Sequence, residues 1–209
     1  GGEWGSLVSI AFLMLGAVVL VVLLITESLR RKVKVFIAKH FFANKYEYRE
    51  EWLSLIEKIE TTSAESYYQM ATTIMKSKLN VEQGAIVKYL TNQQYKIQYN
   101  DGVEFTPALE AELHKLAAFS QKHGWIIDIQ EYVKAPSFYK GLELDIDSCM
   151  RGNISVVVPI FIGKAFYGLF VFAKAKDVEP LNWEDRDLFF AMSKQLGNFI
   201  SLHEANDKL

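Results

Sequence analysis

The stretch NISVVVPIFIGKAFYGLFVFA, residues 153–173, decides the fold class of this chain. Its two apolar halves, Asn153–Ile162 and Ala165–Ala173, are rich in the β-branched and aromatic residues that favour strands. The dipeptide Gly163-Lys164 between them has the length of a tight hairpin turn. Pro159 cannot donate to a strand ladder, so its nitrogen must face a sheet edge or a bulge. The stretch therefore predicts an antiparallel β-hairpin.

More strands and a helix are predicted before this hairpin. Gly84–Leu90 and Gln94–Tyr99 have the pattern of a second hairpin, and Trp125–Ile129 has that of a short strand. Thr106-Pro107 predicts a helix start, because proline suits the first helical position. Gly124 predicts the end of the same helix.

Residues 130–152 contain proline and glycine and show little periodicity. We expect a long, partly helical loop there. The whole order predicts an α/β (α+β) fold with a largely antiparallel sheet of five to six strands flanked by helices. The terminal helices are expected on one face, and the other face and the long loop would enclose a pocket.

Helical patterns flank the predicted sheet. Apolar residues recur at helical spacing over 48–59, and Thr62-Ser63-Ala64-Glu65 has the pattern of a capping box that starts a second helix. This helical stretch is either a signal-transmitting coil or a cover for the domain, and both interpretations stay open. The last helix is predicted to begin after Asn182, with acidic residues in its first turns.

An uncharged apolar run of 19 residues, Leu7–Ile25, has the length that spans a bilayer as a helix. A signal peptide would carry its basic residues before the run, whereas here they follow it. The run predicts three regions: a transmembrane helix at 1–27, a basic juxtamembrane linker at 28–47, and an α/β domain at 48–209. The positive-inside rule places the linker and the domain in the cytoplasm. The linker is either an amphipathic helix among membrane lipids or a basic flank only.

Charge and cysteine content exclude several functions. Six basic residues and no acid lie between Ser28 and Tyr46, which leaves 17 basic and 25 acidic residues elsewhere. An acidic domain is not suited to nucleic acid. The single cysteine, Cys149, excludes an intrachain disulfide and a zinc site of several thiolates. No two histidines have metal-ligand spacing, and no nucleophile–base pair is evident, so we predict neither a metal site nor catalysis.

Two groups of residues are candidates for function. The first is a ligand pocket with aromatic walls and a few polar tips, formed by Trp125, Tyr132, Phe138, Tyr139 and Arg151. The alternative is that these residues only pack the loop against the sheet. The second is a dimer or transmission seam on the last helix, formed by Phe189, Met192, Leu196 and Phe199, spaced alternately by three and four.

Longer motifs give the chain a resemblance to a known family. The order of elements resembles a GAF domain, and the chain is similar to the sensory region of the PEP-CTERM-system sensor histidine kinases (the PrsK family). The motifs are Gly1-Gly2-Glu3-Trp4-Gly5, residues 39–53, residues 123–128 with Glu131-Tyr132, residues 139–144, and Trp183-Glu184-Asp185 with Asp187-Leu188 and Gln195. Residues 144–149 depart from that family's pattern.

The resemblance implies a sensor kinase of the bacterial inner membrane. Several spans would precede the GAF domain, and a phosphoacceptor helix and an ATP- and magnesium-binding kinase domain would follow it. A homodimer, a cognate response regulator and an unknown small molecule are the implied partners, and the output would be control of exopolysaccharide and PEP-CTERM sorting genes. This chain itself is expected to hold no cofactor.

Three functions therefore compete. The first is a sensory and transmission module of a membrane-bound two-component histidine kinase. The second is a ligand-free dimerisation scaffold, and the third is a GAF-fold enzyme.

Overall fold

The computed structural model describes residues 5–19, 57, 66–90, 94–176 and 180–207. The chain divides into two compact units, Gly1–Ser63 and Ala64–Leu209. In the first unit, residues 5–19 form a helix, α1, whose side chains are exposed. No helix within the described residues is both long enough and apolar enough to cross a bilayer. Residues 20–25 of the predicted span, the linker at 28–47 and the predicted helix at 48–59, except Glu57, lie outside the described residues, so the span stays a prediction.

The second unit is built around a five-stranded sheet. Its strands are β1 (Val81–Tyr89), β2 (Tyr95–Asp101), β3 (Ile127–Asp128), β4 (Ile154–Ile162) and β5 (Ala165–Ala175). The spatial order is β2-β1-β5-β4-β3, and every neighbouring pair is antiparallel. Both predicted hairpins are therefore confirmed. Among the described residues, β3 pairs with Val156 and Val157 of β4 and ends there. Pro159 lies past this short pairing, in a part of β4 that no described strand covers on that side.

Helices cover both faces of the sheet. They are α2 (Tyr67–Leu79), α3 (Pro107–His123), α4 (Ile129–Lys134), α5 (Ile146–Arg151) and α6 (Trp183–Asn206), with a 3₁₀ turn at Pro136–Phe138. Thr106 caps α3 and Gly124, at a φ of +61°, ends it, as predicted. Asn182 and Asp185 form a reciprocal capping box at the start of α6.

Alternation along the central strands separates two layers of core. Val87, Leu169 and Val171 belong to the cluster that packs against α3 and the loop between β3 and β4. Gly84 and the stacked rings of Phe170 and Phe172 lie on the other face, where Gly84 approaches Thr72 of α2. The two terminal helices, α2 and α6, lie together on this second face, packed on β1 and β4 respectively.

One expected boundary is wrong, and another falls outside the described residues. The predicted strand Trp125–Ile129 shortens to two residues, because the Asp128 carboxylate accepts hydrogen bonds from the N–H groups of Gln130 and Glu131 and starts α4 at once. The capping box at 62–65 lies outside the described residues, and α2 begins later, at Tyr67. Its cap is the extended residue Ser66, whose hydroxyl accepts from the N–H of Tyr68 at 3.2 Å.

Candidate functional site

The structure brings three of the five predicted pocket residues together and leaves the other two apart. Tyr132 and Tyr139 are buried, with ring centroids 5.6 Å apart, and Trp125 meets Tyr139 edge-on at 6.5 Å while staying 44 % exposed. Phe138 is 65 % exposed. Arg151 is exposed, and its Nε donates at 3.4 Å to the Asp147 carbonyl of its own helix. Trp125, Tyr132 and Tyr139 are thus brought together, with the two tyrosines at core positions, and the ligand pocket stays a prediction.

The two buried tyrosines fix the loop through their hydroxyls. The hydroxyl of Tyr132 donates to the Leu142 carbonyl at 2.9 Å and accepts from the N–H of Leu144 at 3.1 Å. The hydroxyl of Tyr139 accepts from the N–H of Asp128 at 3.2 Å and donates to Glu131. Burial, reinforced by that bond to Glu131, raises the pKa of Tyr139 to about 12, so the phenol keeps its proton at neutral pH.

Arg186 of α6 joins this loop to the last helix. Its Nη1 donates to the Ile126 carbonyl at 2.7 Å, and its Nη2 donates to the Glu131 carboxylate and lies 3.2 Å from the Tyr139 hydroxyl. Its guanidinium also lies 5.9 Å from the Trp125 ring centroid, within cation–π range. We call Arg186, Glu131, Tyr139 and Asp128 the Arg186 cluster.

Asp128 gives the cluster a second bond to the segment before α6. While one carboxylate oxygen caps α4, the other accepts from the N–H of Leu181 at 2.9 Å. The side chain is almost fully buried, and such a carboxylate is stable only when its oxygens are satisfied. Separation of the loop from the start of α6 would therefore deprive Asp128, Glu131 and Arg186 of the hydrogen bonds that they make across this contact.

A second cluster holds the other end of α6. Glu204 accepts from the hydroxyls of Tyr68 at 2.6 Å and Tyr167 at 2.5 Å, and from the Lys88 ammonium at 2.6 Å. These partners come from α2, β5 and β1, so this Glu204 cluster joins the first turn of α2 to the last turns of α6. The rings of Tyr67 and His203 stack beside it at 5.3 Å.

Glu204 should make the stability of the domain depend on acid pH. Burial disfavours the carboxylate, but the bonds from Lys88, Tyr167 and Tyr68 outweigh burial and hold its pKa below the ordinary 4.5. A lowered folded-state pKa adds stability that is present above the unfolded value and is lost as pH falls through the folded value. We expect Glu204→Gln to reduce the free energy of unfolding by about 1 kcal/mol at pH 7, with a smaller difference below pH ~4.5.

Urea unfolding of both forms between pH 3 and 7 measures this difference. Glu104→Gln is the matched control, because Glu104 is exposed. A Glu204→Gln effect that stays constant across the whole range would show that the carboxylate charge does not stabilise the cluster.

The predicted seam on α6 is largely buried within its own chain. Phe189, Met192 and Leu196 are 4 %, 6 % and 3 % exposed, and α6 packs along β4. Gly197 shows how close this packing is, because a Cβ there would lie 2.8 Å from the Phe161 carbonyl oxygen. The sequence predicted a dimer seam where the structure has a helix packed on a sheet, because both arrangements need the same three–four spacing of apolar residues. Of the four predicted seam residues, Phe199 alone is partly exposed and could contact a second chain. The homodimer stays a prediction.

Cys149 is buried in the core beneath α3. Burial, followed by the nearby charges of Glu112 and Asp145, raises the pKa of its thiol to about 11. We therefore expect the native protein to resist iodoacetamide at pH 8 and to react only after unfolding in guanidinium. Mass spectrometry of the Cys149 peptide measures this. Native labelling as fast as that of the unfolded chain would contradict the described packing.

No sequence pattern singled out Arg186 or Glu204. One signal was available for Arg186: it stands among Glu184, Asp185 and Asp187 in the first turns of α6, where the helix dipole disfavours a cation. Such a placement indicates a partner elsewhere in the fold. Within the described residues, no group of three His, Cys, Asp or Glu side chains is arranged to hold a metal ion.

The fold matches solved GAF domains. NpR6012g4, a red/green cyanobacteriochrome in its red light-absorbing state, matches with a TM-score of 0.52 and 13% identity over 71% of this chain and 100% of that chain. GAF3 from Slr1393 of Synechocystis sp. PCC6803, in its photoproduct state, matches with a TM-score of 0.50 and 11% identity over 68% and 95%. The chromophore-binding domain of the Stigmatella aurantiaca bacteriophytochrome matches at 0.51 and 6% identity over 74% and 60%.

No family model matches the sequence, and a comparison with curated proteins gives no match either. The architecture is nevertheless clear from structure alone: the second unit has a GAF-like α/β fold with a five-stranded antiparallel sheet and flanking helices. At these identities the structural likeness shows the fold alone. The function has to be argued from the residues of this chain.

Proposed function

We propose that this chain is the sensory and regulatory region of a membrane-bound two-component histidine kinase, and that its GAF-like domain relays a signal through α6. The observation that carries the proposal is the attachment of α6 at both ends. The Arg186 cluster ties its start to the loop between β3 and β4, and the Glu204 cluster ties its end to the start of α2. A displacement of either the loop or α2 therefore changes the contacts that hold α6.

The remaining parts of the proposal rest on the sequence. The apolar run at 7–25 would anchor the chain in the bacterial inner membrane with its GAF-like domain in the cytoplasm. The juxtamembrane motif at 39–53 supports the PEP-CTERM-system kinases in particular, with control of exopolysaccharide and sorting genes as the output. ATP and magnesium would bind a kinase domain beyond Leu209, which would act as a homodimer on a response regulator.

We propose no chromophore for this chain, although the bacteriophytochrome match is a chromophore-binding domain. In the described residues, buried side chains fill the interior between α3 and the sheet, where Tyr139, Leu142 and Cys149 are 1 %, 5 % and 0 % exposed. A pigment would need to displace this core. The lone thiol is also inaccessible for attachment.

Autophosphorylation of the full-length protein in native membranes tests the proposal. We expect Arg186→Met to change the rate of phosphate incorporation from labelled ATP by at least about fivefold, the lower end of typical allosteric coupling. Arg151→Met is the matched control, since Arg151 is exposed and its side-chain hydrogen bond among the described residues stays within α5. A parent gene without a kinase region, or equal rates in both variants, would contradict the proposal.

A further inference from the structure

A surface groove of about 420 Å³ lies between the last turns of α3 and the loop at 140–143. The α3 wall contains Lys115, Ala118, Phe119, Lys122 and His123, and Lys140 and Leu142 stand on the loop wall. This groove is separate from the five residues predicted as a pocket. It is also separate from both clusters that hold α6.

The charges in the groove favour an anion. Lys122 and Lys140 are exposed, and neither side chain forms a hydrogen bond or an ion pair with any other residue that the structure describes. Lys115 is already paired with Glu112 at 2.9 Å, and Glu143 is the acidic residue in the lining. The groove thus has one exposed lysine on each wall, Lys122 on α3 and Lys140 on the loop, in a domain with more acidic than basic residues. Ammonium groups so placed bind a carboxylate or phosphate by charge-assisted hydrogen bonds.

The walls also suit an apolar group. His123 packs on Phe119 with ring centroids 4.6 Å apart, and Ala118 and Leu142 flank this pair. The volume lies within the range of small-molecule sites. Ala118 is exposed and small, so its position leaves the groove open.

The loop wall is connected to α6. The Phe119 ring lies 5.9 Å from the Tyr139 ring, and the N–H of Leu142 donates to the Tyr139 carbonyl at 3.0 Å. Tyr139 is the loop residue that meets Arg186 and Glu131. Lys140 directly follows Tyr139 in the chain. A ligand that draws Lys140 toward Lys122 would therefore also displace Tyr139.

From these contacts we infer that the groove binds a small organic anion with an apolar body, such as an aromatic carboxylate, between Lys122 and Lys140. Binding would bias the Arg186 cluster through Tyr139. That second step rests on the sensory function proposed above, whereas the binding step does not.

Calorimetric titration of the full chain in lipid nanodiscs with 2-naphthoate tests the binding step, and the neutral 2-naphthamide is the matched probe. We expect the dissociation constant for 2-naphthoate to rise at least about tenfold in Lys122→Gln/Lys140→Gln. The control Lys96→Gln/Lys164→Gln removes two exposed lysines on β2 and in the β4–β5 turn, and should bind like the wild type. The amide should bind at least about tenfold more weakly than the carboxylate, and equally in the wild type and the two double variants.

Ala118→Trp provides a second test, because it fills the groove without changing its charge and should abolish binding. Equal 2-naphthoate affinity in the two double variants, equal affinity of acid and amide, or no binding up to about 5 mM would overturn the inference. Binding that leaves autophosphorylation unchanged would overturn only the coupling step. A failure of the Arg186 experiment would leave the binding result intact.

Discussion

Arg186→Met is expected to lower the free energy of unfolding by about 2 kcal/mol. The variant removes the donors to the Ile126 carbonyl and the Glu131 carboxylate, and leaves Glu131 with the Tyr139 hydroxyl. Removing one partner of a fully buried ion pair costs about 3–5 kcal/mol, and this pair is less buried, with side chains 15 % and 21 % exposed. Chemical denaturation monitored by tryptophan fluorescence measures the loss.

A double-mutant cycle isolates the interaction itself. Glu131→Gln combined with Arg186→Met should cost less than the sum of the two single variants, by about 1 kcal/mol or more, since each single change leaves an unpaired charge. Arg151→Met should change stability by less than about 0.5 kcal/mol. Additive single effects would mean that Arg186 stabilises the domain without an energetic coupling to Glu131.

Gly168→Ala is expected to have the larger effect, with a loss of more than about 4 kcal/mol or failure to fold. Gly168 lies in the central strand β5, opposite Lys88 of β1. A Cβ at this position would lie 2.0 Å from the Val87 carbonyl oxygen and 3.0 Å from the Lys88 Cα. These are backbone atoms of the neighbouring strand, so β1 could accept the methyl group only by moving away from β5.

Gly152→Ala is the matched control for this variant. Its φ of −76° is ordinary for alanine, and its nearest neighbours are side-chain carbons of Leu109 and Ile154 at 3.3 and 3.4 Å. We expect a change within about 1 kcal/mol, measured by thermal and urea unfolding. Gly168→Ala protein with wild-type stability would contradict the described pairing of β1 with β5.

The parts of the fold that sequence could predict depend on local chemistry. The hairpin at 153–173 follows from residue type and turn length, and α3 follows from a threonine cap, a first-position proline and a terminal glycine. Each of these signals acts within a few residues, so no knowledge of the tertiary structure is needed. The fold class and its largely antiparallel sheet could therefore be predicted before the structure.

The candidate site could not be predicted in the same way because its contacts are distant in sequence. Arg186 meets Glu131 across 55 residues, and Glu204 meets Tyr68 across 136. The spacing of Phe189, Met192 and Leu196 also fits a coiled coil and a helix on a sheet equally well. Only the close approach of α6 to β4 decides between them. Phe138 and Arg151 were predicted from residue type alone, which does not fix where a side chain points.

Hydrogen–deuterium exchange on the full chain tests the coupling between the loop and α6 most directly. Comparing wild type, Arg186→Met and Arg151→Met, we predict faster amide exchange in Arg186→Met both at residues 183–192 of α6 and at residues 129–139 of the loop, by about tenfold or more for each 1.4 kcal/mol lost. Arg151→Met should match the wild type in both segments. Faster exchange confined to α6, with the loop unchanged, would contradict the coupling on which the proposed signalling depends.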